Sequence, residues 1–155
     1  MDRKTAYCYC PEYNREMIFE KIEKIFSEFP SFENKLKAKR GAKILIKPNL
    51  LAARHPEKAV TTHPEVLTAL IQYLKKFDCK IIIADSPAGV YNTKILEKLY
   101  EACGLYEVAE KTGAELNFDT SETIMPIPDG KVLKKVHIIT PAVEADFIIN
   151  VPKLK

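Results

Sequence analysis

The sequence predicts an α/β protein: a three-layer, mostly parallel, Rossmann-like sheet with an inserted β-hairpin. Three observations predict it. Segments of helical period alternate with short β-branched runs, the pattern left by βαβ units. The run Ala42-Lys43-Ile44-Leu45-Ile46 is apolar on both faces, as a central parallel strand is. Three runs also break at their carboxyl ends into proline-containing polar tripeptides: Lys47-Pro48-Asn49, Asp85-Ser86-Pro87 and Val151-Pro152-Lys153. Proline removes a ladder donor and stops a strand. Open α/β sheets hold their ligands beyond those carboxyl ends.

Taken in order, Thr5 to Cys10 alternates and reads as a strand. After a turn at Pro11–Asn14, Ile18, Ile22, Ile25 and Phe29 recur at helical spacing. Pro30 and the basic run Lys35–Arg40 read as a solvated connection into the strand at 42–46. Leu50 to Thr61 is a loop of about a dozen residues, long enough to suggest function. Thr62-His63-Pro64-Glu65 has the form of a capping box with proline in the first turn, followed by the apolar stripe Val66, Leu67, Leu70, Ile71 and Leu74. Lys80–Ala84 closes a βαβ unit, whose crossover is nearly always right-handed. Asn92 is positioned to cap a helix that buries Ile95, Leu96, Leu99 and Cys103, with Gly104 as its breaker. A short helix at Leu105–Lys111 precedes a strand at Ala114–Phe118. Thr123–Ile127 and Val132–Ile139 flank Pro128-Asp129-Gly130-Lys131, a hairpin signal. One helical turn at Pro141–Ala145 leads to the last strand, Asp146–Val151.

The 155 residues make one domain with room for a core, and 46% hydrophobic against 29% charged residues is a globular composition. A net charge of +3, from 24 basic and 21 acidic side chains, gives no charge argument for nucleic acid. No apolar run approaches a membrane span, and no apolar core follows Met1-Asp2-Arg3-Lys4-Thr5 as a leader would need, so a cytoplasmic location is expected. Cys8 and Cys10 would lie about 7 Å apart along a strand, too far for an unstrained bridge. With Cys79 and Cys103 on apolar segments, reduced thiols are expected, and no metal site.

Lys47 and Asp85 are the candidates for catalysis. A lysine directly after a buried strand must bring its ammonium out at the sheet edge or onto an anion. There it binds phosphate or carboxylate, or acts as a base if its pKa falls; the plainer reading is a snorkelling surface lysine. Asp85 is followed by six residues before the helix cap, so it is free to take a metal, a hydroxyl or Lys47. Asn49, Thr61, Thr62, His63, Ser86 and Lys153 are candidate ligand contacts. His63 lies at a helix start, where free amides and the dipole favour anions; Lys153 and Lys155 would add positive charge where the last strand ends. Asn49 reads equally as a turn-former. Ser86 lies in no nucleophile elbow, and neither phosphate-binding glycine fingerprint is present.

At these residues the chain resembles the domain of unknown function 362 family, bacterial and archaeal proteins often described as iron–sulfur cluster-binding. The matching blocks are Ile46-Lys47-Pro48-Asn49-Leu50-Leu51, Ala59-Val60-Thr61-Thr62-His63-Pro64-Glu65, Asp85-Ser86-Pro87 and Ala145-Asp146 through Lys155. The resemblance implies a fold similar to the substrate domain of lactate-racemase-like proteins, an analogy of fold alone. It also implies that this chain is the N-terminal part of a longer protein. Cysteines at ferredoxin spacing do not occur here, so no cofactor is expected in this chain, and an iron–sulfur cluster only downstream of it. The expected partners are a small anionic ligand and, more broadly, a redox partner or a second copy. The competing expectation is a non-catalytic scaffold that docks a redox partner.

Overall fold

The structure, a computed structural model, describes residues 4–153. Met1-Asp2-Arg3 and Lys155, on which two expectations fall, lie outside the described residues. The elements are α1 (Arg15–Ser27), α2 (Pro30–Ala38), β1 (Ala42–Pro48), a 3-10 turn (Pro56–Lys58), α3 (Pro64–Leu74), β2 (Cys79–Ile83), α4 (Thr93–Ala102) and α5 (Leu105–Thr112). Then come β3 (Glu115–Leu116), the antiparallel hairpin of β4 (Glu122–Pro126) and β5 (Lys135–Ile139), α6 (Thr140–Glu144) and β6 (Phe147–Val151).

The main sheet is parallel throughout, in the order β3-β2-β1-β6. From β1 the chain steps twice in one direction, and right-handed crossovers then place the intervening helices on one face. On that face Leu36, Leu67, Ile71, Leu96, Leu105 and Val108 pack against Ile44, Ile46, Ile81 and Ile83 in a single core. The return to the other flank of β1 passes through the hairpin and α6, whose Pro141 is buried. Strand order reverses between β1 and β6, where Lys47 lies opposite Asn150 and Pro48 opposite Val151. That reversal is where such sheets open a crevice.

Helix ends follow local chemistry. Asn14 and Asn92 accept from the amides of Met17 and Ile95, satisfying donors that a first turn leaves orphaned. Gly104 adopts a φ of +71° between α4 and α5, and a Cβ there would stand 3.3 Å from the Pro64 ring.

Three sequence expectations are corrected. Thr5 to Cys10 is not a strand: its alternation is real, with Tyr7 and Tyr9 outward and Cys8 and Cys10 half-buried, but it pairs with no strand among the described residues. Its inner side chains border a groove with Ile18, Ile22 and Ile25 of α1. Lys35–Arg40 is not a connection: 30–38 forms α2, which buries Leu36 and keeps its lysines outside. Thr62 does not cap α3; the cap is His63. No helix among the described residues is long and apolar enough to cross a membrane.

Candidate functional site

The carboxyl edge of the sheet carries the predicted residues in three groups. The first is built on Asp85, two residues past the end of β2 and buried. Its Oδ1 accepts from Lys47 Nζ at 2.6 Å and from the Ser86 amide at 2.9 Å, and its Oδ2 from the Leu50 amide at 2.8 Å. Asp85 is therefore already engaged: it fixes Lys47 and the start of the long loop, and the freedom expected of it is spent internally. Lys47 Nζ also donates to the Pro48 carbonyl at 3.4 Å, and the side chain keeps 45% of its surface exposed, which leaves part of the ammonium open to solvent.

The second group closes the seam between β1 and the segment entering α3. Thr62 Oγ1 accepts from the Asn49 amide at 2.8 Å and donates to the Val151 carbonyl at 2.7 Å, tying β1 to β6 just past their pairing. Asn49 Nδ2 reaches the Val60 carbonyl at 3.2 Å, so its side chain holds the long loop's far end. Thr61 is buried as well, and its hydroxyl has no hydrogen-bond partner among the described residues.

The third group lies at the start of α3. His63 Nδ1 accepts from the Glu65 amide at 3.2 Å, and Pro64 has no amide to offer. The Val66 and Leu67 amides turn back to the His63 carbonyl. The helix end is thus capped, and it presents no row of free amides to an anion. Glu65 does not reach back as a capping box requires; both its oxygens take Arg15, at 2.6 and 2.9 Å, and this hydrogen bonding holds its carboxyl below the usual range. The His63 ring stacks on Tyr13 with centroids 3.8 Å apart and planes 5° apart. Burial, reinforced by Lys153 and opposed by Glu65, pushes the His63 pKa down. Lys153 Nζ donates to the Tyr13 hydroxyl at 2.5 Å.

Ser86 is exposed beside the Asp85 carboxylate. No hydrogen bond among the described residues links the Lys47–Asp85 pair to the His63–Lys153 group. His55 sits exposed beside Glu57 at 3.7 Å, and His137 pairs with Glu122 across the hairpin at 3.0 Å. No set of three His, Cys, Asp or Glu side chains suited to a metal ion occurs among the described residues. A groove of about 780 Å³ lies at the opposite rim of the sheet between Leu36, Tyr73 and Asp78.

Sequence reasoning missed Tyr13 and Asn117. Asn117 is buried just past β3, donates Nδ2 to the Asp119 carbonyl at 2.9 Å and accepts from the Asp119 amide at 3.1 Å. A signal existed: Asn117 interrupts an apolar run at the same strand-end place as Lys47 and Asp85. Tyr13 carried none, because only the folded chain sets it against His63.

The family model for a domain of unknown function (DUF362) matches residues 44–155, which hold all of these groups except Tyr13 and Arg15. The chain belongs to this family. It is also similar to the thylakoid-associated protein sll1697 of Synechocystis sp., at 30% identity over 122 residues, 76% of this chain and 35% of that protein. The match spans about a third of that relative's length. No solved structure matches the chain significantly.

Proposed function

We propose that this DUF362 domain binds a small anion, a carboxylate or a phosphate, at the carboxyl ends of β1, β2 and β6. The observation that carries the reading is the reversal of strand order between β1 and β6, flanked by Lys47 on one side and Lys153 on the other. Thr62 holds the two strand ends together, and Asp85 keeps the Lys47 ammonium aimed. Any chemistry would fall to Lys47, which can polarise or protonate a ligand oxygen, with Asp85 as its positioning carboxylate. Ser86 and Asn49 supply further polar contacts. In longer family members the site would be coupled to redox chemistry through an iron–sulfur module outside this chain. Calorimetric titration with a panel of small carboxylates and phosphates tests the reading. At least one should bind, and Lys47→Ala should weaken it by roughly tenfold, the worth of one charge-assisted contact. A panel in which nothing binds, or in which Lys47→Ala binds as the wild type does, contradicts it.

A second reading, a docking domain, is favoured by the hairpin. Ile124 (56% exposed), Val132 (89%) and Leu133 (60%) stand outside the core, and a two-stranded ribbon is marginal without a partner. Its occupant would be a redox partner or a second copy. Concentration-dependent association that Ile124→Ser with Val132→Ser abolishes would support a second copy there; a monomer at all concentrations would remove it.

A further inference from the structure

We infer that Tyr13, His63 and Lys153 together grip the charged group of the anion, and that Tyr13, on the segment leading into α1, is a binding residue. The inference rests on the anion-site reading above and says where within the carboxyl edge the anion is held.

Donors outnumber acceptors where Tyr13, His63 and Lys153 come together. Lys153 gives one proton to the Tyr13 oxygen, and a phenol oxygen that accepts still has its own O–H to donate. His63 receives the Glu65 amide on Nδ1, so the neutral ring carries its proton on Nε2. That Nε2 has no hydrogen-bond partner among the described residues. Lys153 makes no ion pair among them either. Three donors therefore meet, from three separate parts of the chain, with no acceptor supplied. The neighbouring carboxylate, Glu65, has both oxygens committed to Arg15. Lys47, by contrast, has its charge offset by Asp85 at 2.6 Å. Lys153 stands at this edge as a cation without an ion pair among the described residues, and an oxyanion is the ligand whose chemistry completes the set. The Tyr13–His63 stack pre-sets the rings, so little ordering is left for binding. Tyr13 remains 48% exposed and reachable.

The test is an NMR titration of the chain with inorganic phosphate and, separately, with acetate, at neutral pH and constant ionic strength. Saturable shifts are expected at the His63 ring, the Tyr13 ring and Lys153. Saturation by phosphate would assign a phosphate ester, and saturation by acetate alone a carboxylate; either supports the proposal. Lys153→Gln should weaken binding roughly tenfold or more, and Tyr13→Phe, which keeps the stack and removes the hydroxyl, several-fold. Spectra of the free variants that overlay on the wild type away from the substitution confirm the fold. Binding lost in Lys47→Gln but unchanged in Lys153→Gln and Tyr13→Phe would overturn this inference and leave the carboxyl-edge reading standing. A wild type showing no saturable shifts at the carboxyl edge with either anion would overturn both.

Discussion

Replacing Asp85 by Asn alters the edge while keeping its shape. The carboxylate accepts three donors: the Leu50 and Ser86 amides and the Lys47 ammonium. An amide has only one acceptor oxygen, so Asp85→Asn must point its NH2 at a donor. If that donor is the buried Leu50 amide, the unsatisfied group costs about 1–3 kcal/mol. Lys47, almost half exposed, recovers water, so its lost pairing adds only about 1 kcal/mol. The total of about 2–4 kcal/mol overlaps only the lower part of the cost of breaking a wholly buried pair, roughly 3–5 kcal/mol. Thermal unfolding should drop by roughly 5–15 °C, and the urea midpoint should move with no change in slope. Lys47→Met leaves the buried Asp85 carboxylate with both amides but without its counter-charge, and should cost about 1–3 kcal/mol. An Asp85→Asn protein within about 0.5 kcal/mol of wild type would refute Asp85 as the hub of this edge.

Thr62→Val leaves the Asn49 amide and the Val151 carbonyl without their shared partner; about 2–4 kcal/mol should be lost, and Thr62→Ser should restore most of it in urea unfolding. His63 links stability to pH. Its folded pKa lies below the ordinary 6.5, so its contribution is complete above that value and fades as pH falls through the lower folded one. Protonation also takes the Nδ1 lone pair that caps α3, beside Tyr13, Lys153 and the Glu65–Arg15 pair. His63→Asn should keep a cap and flatten this part of the pH–stability curve; an unchanged curve would contradict the assignment. Tyr100→Phe strands the Asn117 carbonyl, which the buried hydroxyl meets at 2.7 Å, and should cost about 1–2 kcal/mol in thermal unfolding.

Much of the architecture was legible because local and long-range signals agree. The strand at 42–46, the helix capped near position 63 and the strand at 80–84 each follow from short-range patterning, and their lengths force a crossover. Asn92 and the Pro128–Lys131 turn are likewise local chemistry. Thr5–Cys10 failed because alternation reports burial on one side only; a helix served as its neighbour in place of a strand. At α2, Leu36 is its one buried residue in a lysine-rich segment, too faint a stripe to outweigh the charge. His63 displaced Thr62 as the cap because Thr62 Oγ1 is spent on Asn49 and Val151, a choice made by tertiary contacts. The strand-end rule found Lys47 and Asp85. That Asp85 would be saturated, and that Tyr13 would come round to Lys153, depended on chain separations of 35 and 140 residues, which no local pattern records.

Whether an anion belongs where β1 and β6 end can be seen by soaking crystals of the chain in tungstate and mapping the anomalous signal. A dominant peak is expected within contact of Lys153 and Tyr13, at the carboxyl edge that also carries Lys47. Peaks confined to other surfaces, such as the exposed lysines Lys43 and Lys80, with none at the carboxyl edge, would contradict it.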